Sequence, residues 1–149
     1  MKLAHPPAAE YFVGVVDGEP VAHVAVCPLF TAKAYRATRL VVMPEWQGAG
    51  VGTRFLEYVM QYHLEGNGRC NREYPTFFHS SHPQLCGYLR NAKKWKQTNA
   101  ILHGSNKARS IASIQKTGKG MINSAGKRRV PKTGYGGHFR AIQAFKYIG

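Results

Sequence analysis

The apolar residues of this chain change period several times, and each change marks an element. "YFVGVV" and "VAHVAVCPL" are β-branched runs separated by "DGEP", which predicts two strands joined by a tight hairpin with Asp17-Gly18 in the turn. "YRATRLVVM" predicts a third strand, closed by Pro44. From Val51 the spacing switches: Val51, Phe55, Tyr58, Val59 and Tyr62 recur at three or four residues, which predicts a helix stopped near Gly66 and Gly68. "PTFFHSS" reads as a short strand. "HPQLCGYLRNAKKW" reads as a helix with proline at its start and Leu85, Tyr88 and Leu89 on one face. Residues 96–137 are rich in Gly, Ser and Lys and weakly periodic, and "HFRAIQAFKYI" alternates as a last strand. This order predicts one α/β domain over residues 1–149, with a basic insertion at about 96–137.

The junction between the third strand and the first helix, "RLVVMPEWQGAGVGTRFLEYV", has three glycines in five residues. A strand running through such a turn into a helix leaves the first N–H groups of the helix unpaired, with the helix dipole behind them, and phosphate binds there. Gly48, Gly50 and Gly52 remove the side chains that would hold a pyrophosphate away, and Gln47 adds a donor. The sequence lacks the GK[ST] of a P-loop, and its glycine spacing is not GxGxxG. The same glycines also suit a turn that lets a helix pack closely on a sheet.

Charge adds a second theme. The net charge is +14, and it is unevenly placed. All seven carboxylate side chains lie in the first 73 residues beside seven Lys and Arg, whereas the stretch from Tyr74 to Gly149 carries fourteen Lys and Arg with no Asp or Glu. Those cations lack local partners, which points to a polyanion, nucleic acid above all and DNA first. Lys93, Lys94, Lys96, Lys107, Arg109, Lys127, Arg128, Arg129 and Lys132 are the candidate contacts, with Trp95 and Tyr135 either stacking on bases or, for Trp95, anchoring the core. Three cysteines without a CxxC pair fit a reducing compartment, and the absence of a bilayer-length apolar run or a signal-peptide core predicts a cytoplasmic chain with no membrane partner.

The segment "LVVMPEWQGAGVG" resembles the acetyl-CoA motif of the GNAT acyltransferase superfamily, Q/R-x-x-G-x-G/A between a strand and a helix, with Gln47, Gly50 and Gly52 filling the signature. The similarity runs over about residues 11–95, and the last strand fits the family's own. "SSHPQLCGYLRNAKKW" and "HFRAIQAFKYIG" narrow it to a phage and bacterial branch; a weaker similarity is to Mom-type phage enzymes that modify DNA adenine. The resemblance implies a mixed, mostly antiparallel sheet with splayed central strands and helices on both faces, here with the N-terminal helical part reduced or absent. It implies acetyl-CoA, or another acyl-CoA, as cofactor. Its pantetheine would lie along Leu40, Val42 and Met43, and its pyrophosphate on the amides of Gln47, Gly48, Ala49, Gly50, Val51, Gly52 and Thr53. Tyr88 matches the family tyrosine that protonates the departing thiolate, while also fitting a core-facing aromatic. Ser81 stands where the family often has asparagine.

The family's usual base is a glutamate, and no carboxylate follows Glu73. Glu45, Glu57 and Glu65 read as surface charges, so His79 and His82 become the candidates, acting through water or serving only as hydrogen-bonding groups. Cys70, His79, His82 and Cys86 follow no familiar zinc spacing, and no metal is expected. The function this supports is acyl-CoA-dependent N-acyl transfer to a large anionic acceptor. The alternatives are a Mom-like DNA-modifying enzyme and a non-catalytic nucleic-acid-binding module on the same fold.

Overall fold

The computed structural model describes residues 8–101, 126 and 141–149. Asp17 and Gly18 both take positive φ, 52° and 85°, as a two-residue hairpin requires, and they join β1 (Glu10–Val16) to β2 (Glu19–Leu29). β2 pairs antiparallel with β3 (Ala34–Val42). Its register shifts by one residue between His23↔Val41 and Ala25↔Thr38, which sets Arg39 and Leu40 opposite Val24 alone. Arg39 sits at φ 54°, so this is a bulge that bends β3. β3 then runs parallel to β4 (Thr76–Ser80) only from Tyr35↔Thr76 to Ala37↔Phe78. Past Ala37 the two strands part, which is the expected splay.

Two helices and two further strands complete the described elements: α1 (Val51–Leu64), α2 (Pro83–Asn91), β5 (Trp95–Ile101) and β6 (Ile142–Tyr147). The sheet order is β1-β2-β3-β4-β6-β5. The chain divides into two compact units, residues 1–98 with 144–149 and residues 99–143, and the site described below lies in the first.

One core cluster holds Val24, Val26, Tyr35, Ala37, Phe78, Phe145 and Tyr147 from the sheet with Leu56, Val59 and Met60 of α1 and Cys86 and Leu89 of α2. Both described helices thus share a single core, while Tyr11, Val13, Val15 and Val41 of the sheet are exposed. The buried stripe of α1 is Leu56, Val59, Met60 and His63, and Tyr58 of the expected stripe is 72% exposed. His63 is fully buried because both ring nitrogens meet acceptors, Nδ1 at Val59 O (2.7 Å) and Nε2 at the Glu10 carboxylate (3.2 Å). Around it Phe12, Tyr35 and Tyr62 present ring edges.

β5 falls on the first residues of the stretch read as the basic insertion. Its residues are exposed except for Trp95 and the half-buried Ile101, so no apolar alternation announces the strand, and it stands at the end of the sheet order. The rest of the expected insertion, apart from residue 126, lies outside the described residues.

Candidate active site

The loop that enters α1 is built from backbone. After β3, Pro44–Trp46 forms one 3₁₀ turn, and the Gln47 side-chain amide donates to Val42 O at 2.8 Å, tying the loop to the strand end. Gly48 and Gly50 follow at φ 81° and 76°, left-handed conformations that glycine adopts without steric cost. Among the described residues a Cβ at Gly48 would meet nothing within 4 Å, and one at Gly50 only Thr53 Oγ1 at 3.8 Å. No described residue fills the space over either. Gly52 does a different job, since a Cβ there would come to 2.7 Å from Val42 Cγ2, so its missing side chain is what lets α1 start against β3. The close packing of helix on sheet foreseen for the glycines thus falls on Gly52, while Gly48 and Gly50 leave the loop backbone uncovered. The first intrahelical donor is Arg54 N, to Gly50 O, and the amides of Gly48 to Thr53 have no acceptor among the described residues.

At the splay, Leu40 packs on the core and Met43 is exposed. The Met43 N–H donates to Val21 O and the Val42 carbonyl accepts from Gln47, which leaves the loop amides as the open donors.

Two turns along α1 the chemistry passes to side chains. Tyr88 is 43% exposed, so it is not a core residue, and its phenol donates to Glu57 Oε1 at 2.9 Å. The same oxygen accepts from the Trp95 indole at 3.2 Å, and Lys94 Nζ lies 3.9 Å from Glu57 Oε2. Glu57 is only 16% exposed, which corrects its reading as a surface charge. Nothing in the spacing of "FLEYV" signals this, because the partners come from α2 and β5. Trp95 is 5% exposed and meets Phe78 and Tyr147 edge-on, so it anchors the core and is not free to stack on a base. Desolvation, then the hydrogen bond and charge of Glu57, push the Tyr88 phenol above its ordinary pKa. Tyr88 lines an open cavity of about 520 Å³ with Glu57, Asn91, Lys93 and Lys94.

The remaining candidates separate. His79, exposed on β4, has its Nδ1 3.5 Å from Arg36 Nη2; partial burial and that guanidinium hold the imidazole below its usual pKa and so neutral. His82 caps α2, its Nδ1 accepting from Leu85 N at 3.4 Å, while its own backbone N–H donates to Ser80 Oγ. Ser81 is exposed between them. Lys93, Lys94 and Lys96 are exposed around the α2–β5 turn, whereas Lys107, Arg109, Lys127, Arg128, Arg129, Lys132 and Tyr135 lie outside the described residues. Among the described residues no three His, Cys, Asp or Glu side chains gather as metal ligands, and no helix is long and apolar enough to cross a membrane.

The protein family described as "Acetyltransferase (GNAT) domain" matches residues 7–99, most of the chain. The chain belongs to the GNAT acetyltransferase family. Solved GNAT enzymes share its fold at low sequence identity. A spermidine N-acetyltransferase from Vibrio cholerae matches with TM-score 0.60 at 9% identity, over 97% of this chain and 68% of that one. The ribosomal-protein-S18-alanine N-acetyltransferase from Escherichia coli matches with TM-score 0.57 at 10% identity, over 96% and 70%. A GNAT acetyltransferase from Elizabethkingia anophelis with acetyl-CoA bound matches with TM-score 0.57 at 12% identity, over 95% and 77%. No curated protein matches by sequence. As a GNAT protein the chain is an acyltransferase by class, and the glycine loop stands between its strand and helix in the order the family signature demands.

Proposed function

We propose that this GNAT chain transfers an acyl group, acetyl from acetyl-CoA, to an amine of a large anionic acceptor, nucleic acid or a target held on nucleic acid. The observation that carries the cofactor half is the row of open amides under Gly48 and Gly50, a cradle that any Cβ would begin to fill. Acetyl-CoA supplies an activated thioester. The amides of Gly48 to Thr53 hold its pyrophosphate; Gln47, expected among them, instead donates its backbone N–H to Pro44 O and its side-chain amide to Val42 O, bracing the loop. Tyr88 holds a proton at its phenol oxygen for the departing sulfur, and its raised pKa keeps that proton in place throughout the neutral range. His79, kept neutral, is available to take the acceptor's proton through water.

The acceptor half rests on charge. Two structural neighbours are named for spermidine and for an alanine of a ribosomal protein. A polycation such as spermidine is a poor match for a chain of net charge +14 whose last 76 residues hold no carboxylate side chain. A polyanion is attracted by the same field, and Lys93, Lys94 and Lys96 are exposed to meet it.

The test is incubation of the purified chain with isotope-labelled acetyl-CoA and, separately, DNA, RNA, ribosomal protein and spermidine, followed by mass spectrometry, with Gly50→Glu as the control. Label on nucleic acid or on a nucleic-acid-bound protein that vanishes in the control is the expected result. Label on spermidine alone would overturn the acceptor half.

A further inference from the structure

Glu57 is the one carboxylate that the described residues bring against Tyr88, and it is held there from three directions. Its Oε1 accepts from a phenol on α2 and from an indole at the start of β5, and the indole is immobilised between Phe78 and Tyr147. A carboxylate with two donors on one oxygen, an ammonium near the other and little exposure has few alternative rotamers. Tyr88, by contrast, is nearly half exposed, and the hydrogen bond to Glu57 is what fixes its oxygen.

We propose that Glu57 is the positioning residue of the proton-donating end of the site: it fixes the Tyr88 oxygen and keeps the phenol protonated until a sulfur needs the proton. This rests on the reading of Tyr88 as proton donor. The chemistry is local. A phenoxide at Tyr88 would stand 2.9 Å from a carboxylate oxygen, so the like charges oppose ionisation of the free enzyme. The hydroxyl hydrogen turns about the C–O bond without moving the oxygen, so it can leave Glu57 for a thiolate on the other side. When the C–S bond breaks its electron pair stays on sulfur, the phenol proton passes to that sulfur, and the phenoxide left behind takes a proton back from water. The groups facing Tyr88 are Glu57 and Arg54 on α1, Tyr147 on β6, and Lys93 and Lys94 beside the cavity. Arg54 acts in the opposite sense to Glu57, favouring the phenoxide.

Titration of Tyr88 in the free protein tests this without any acceptor, by NMR of ring-labelled tyrosine with Tyr88→Phe identifying the resonance. In Glu57→Gln, which keeps the shape and an acceptor oxygen but loses the charge, the Tyr88 titration should move to lower pH. In Arg54→Gln, an exposed change that spares the Glu57 network, it should move to higher pH. An unmoved Tyr88 titration in Glu57→Gln overturns the proposal; should that variant not fold, Glu57→Asp, which draws the carboxylate back from the phenol by one methylene, should also lower the titration, and an unmoved titration there overturns it. A second readout is CoA released from acetyl-CoA with water as acceptor. The alkaline limb of its rate should fall at lower pH in Glu57→Gln, and Tyr88→Phe/Glu57→Gln should be no slower than Tyr88→Phe. If Tyr88→Phe releases CoA at the wild-type rate, the proton-donor reading fails. If Tyr88→Phe is slow while Glu57→Gln keeps the wild-type limb, only the role of Glu57 fails.

Discussion

At the N-terminus of α1 the groups proposed to work are backbone amides bared by Gly48 and Gly50; two turns along the same helix they are side chains, Glu57 with Tyr88, Trp95 and Lys94. The first region works by what is missing, so adding almost any side chain harms it. The second works by charge and placement, so it degrades by steps. On the proposed reading, one helix carries an anion cradle and a proton-holding network that different substitutions separate.

The largest effect is expected at the cradle. Gly50→Glu puts a side chain on a residue at φ 76° and a negative charge where phosphate would sit, and calorimetry should find acetyl-CoA binding lost. Equal binding by variant and wild type would remove the distinction between the regions. Tyr88→Phe should slow acyl transfer by ~10²–10⁴-fold while leaving the acetyl-CoA dissociation constant unchanged, because the ring stays and only the proton donor goes. A matching fall in cofactor affinity would merge the two regions into one. Changing Lys93, Lys94 and Lys96 together to Ala should lower the slope of log K against log salt for DNA binding by about 0.7 to 0.9 for each phosphate that these lysines neutralise. No salt dependence in the wild type would end the polyanion reading.

The smallest effect lies outside both regions. Burial, followed by the Cys70 side chain, pushes the Tyr35 phenol from 10.0 to about 12, against the Cys70 backbone N–H, which donates to the phenol oxygen at 2.9 Å and acts in the lowering sense. A folded-state value above the unfolded one means stability is intact below pH 10.0 and declines as pH rises toward about 12. Thermal melts should show that decline, and Tyr35→Phe should flatten it while removing one hydrogen bond, about 1 kcal/mol.

Much of this is legible in the sequence because local rules decide it. The Asp17-Gly18 hairpin, the proline-started α2 and the glycine loop follow from backbone chemistry that neighbouring residues determine. The loop's likeness to an anion cradle is legible for the same reason: a row of bare amides needs glycine, and glycine can be counted. The buried face of α1 departs from its sequence pattern at Tyr58 and His63, since the burial of a histidine depends on Glu10, fifty-three residues away. β5 is hidden because its residues are mostly polar. The surroundings of Glu57 are hidden because a glutamate on a helix reads as solvated until a tyrosine and a tryptophan from other elements fold onto it.

The central claim is that the amides of Gly48 to Thr53 receive the cofactor's pyrophosphate, and amide NMR during an acetyl-CoA titration reads those groups directly. Saturable shifts concentrated on residues 48–53, with the Asp17-Gly18 turn unmoved, are the expected result. Binding that leaves those amides where they were, or no binding at all, would contradict the account.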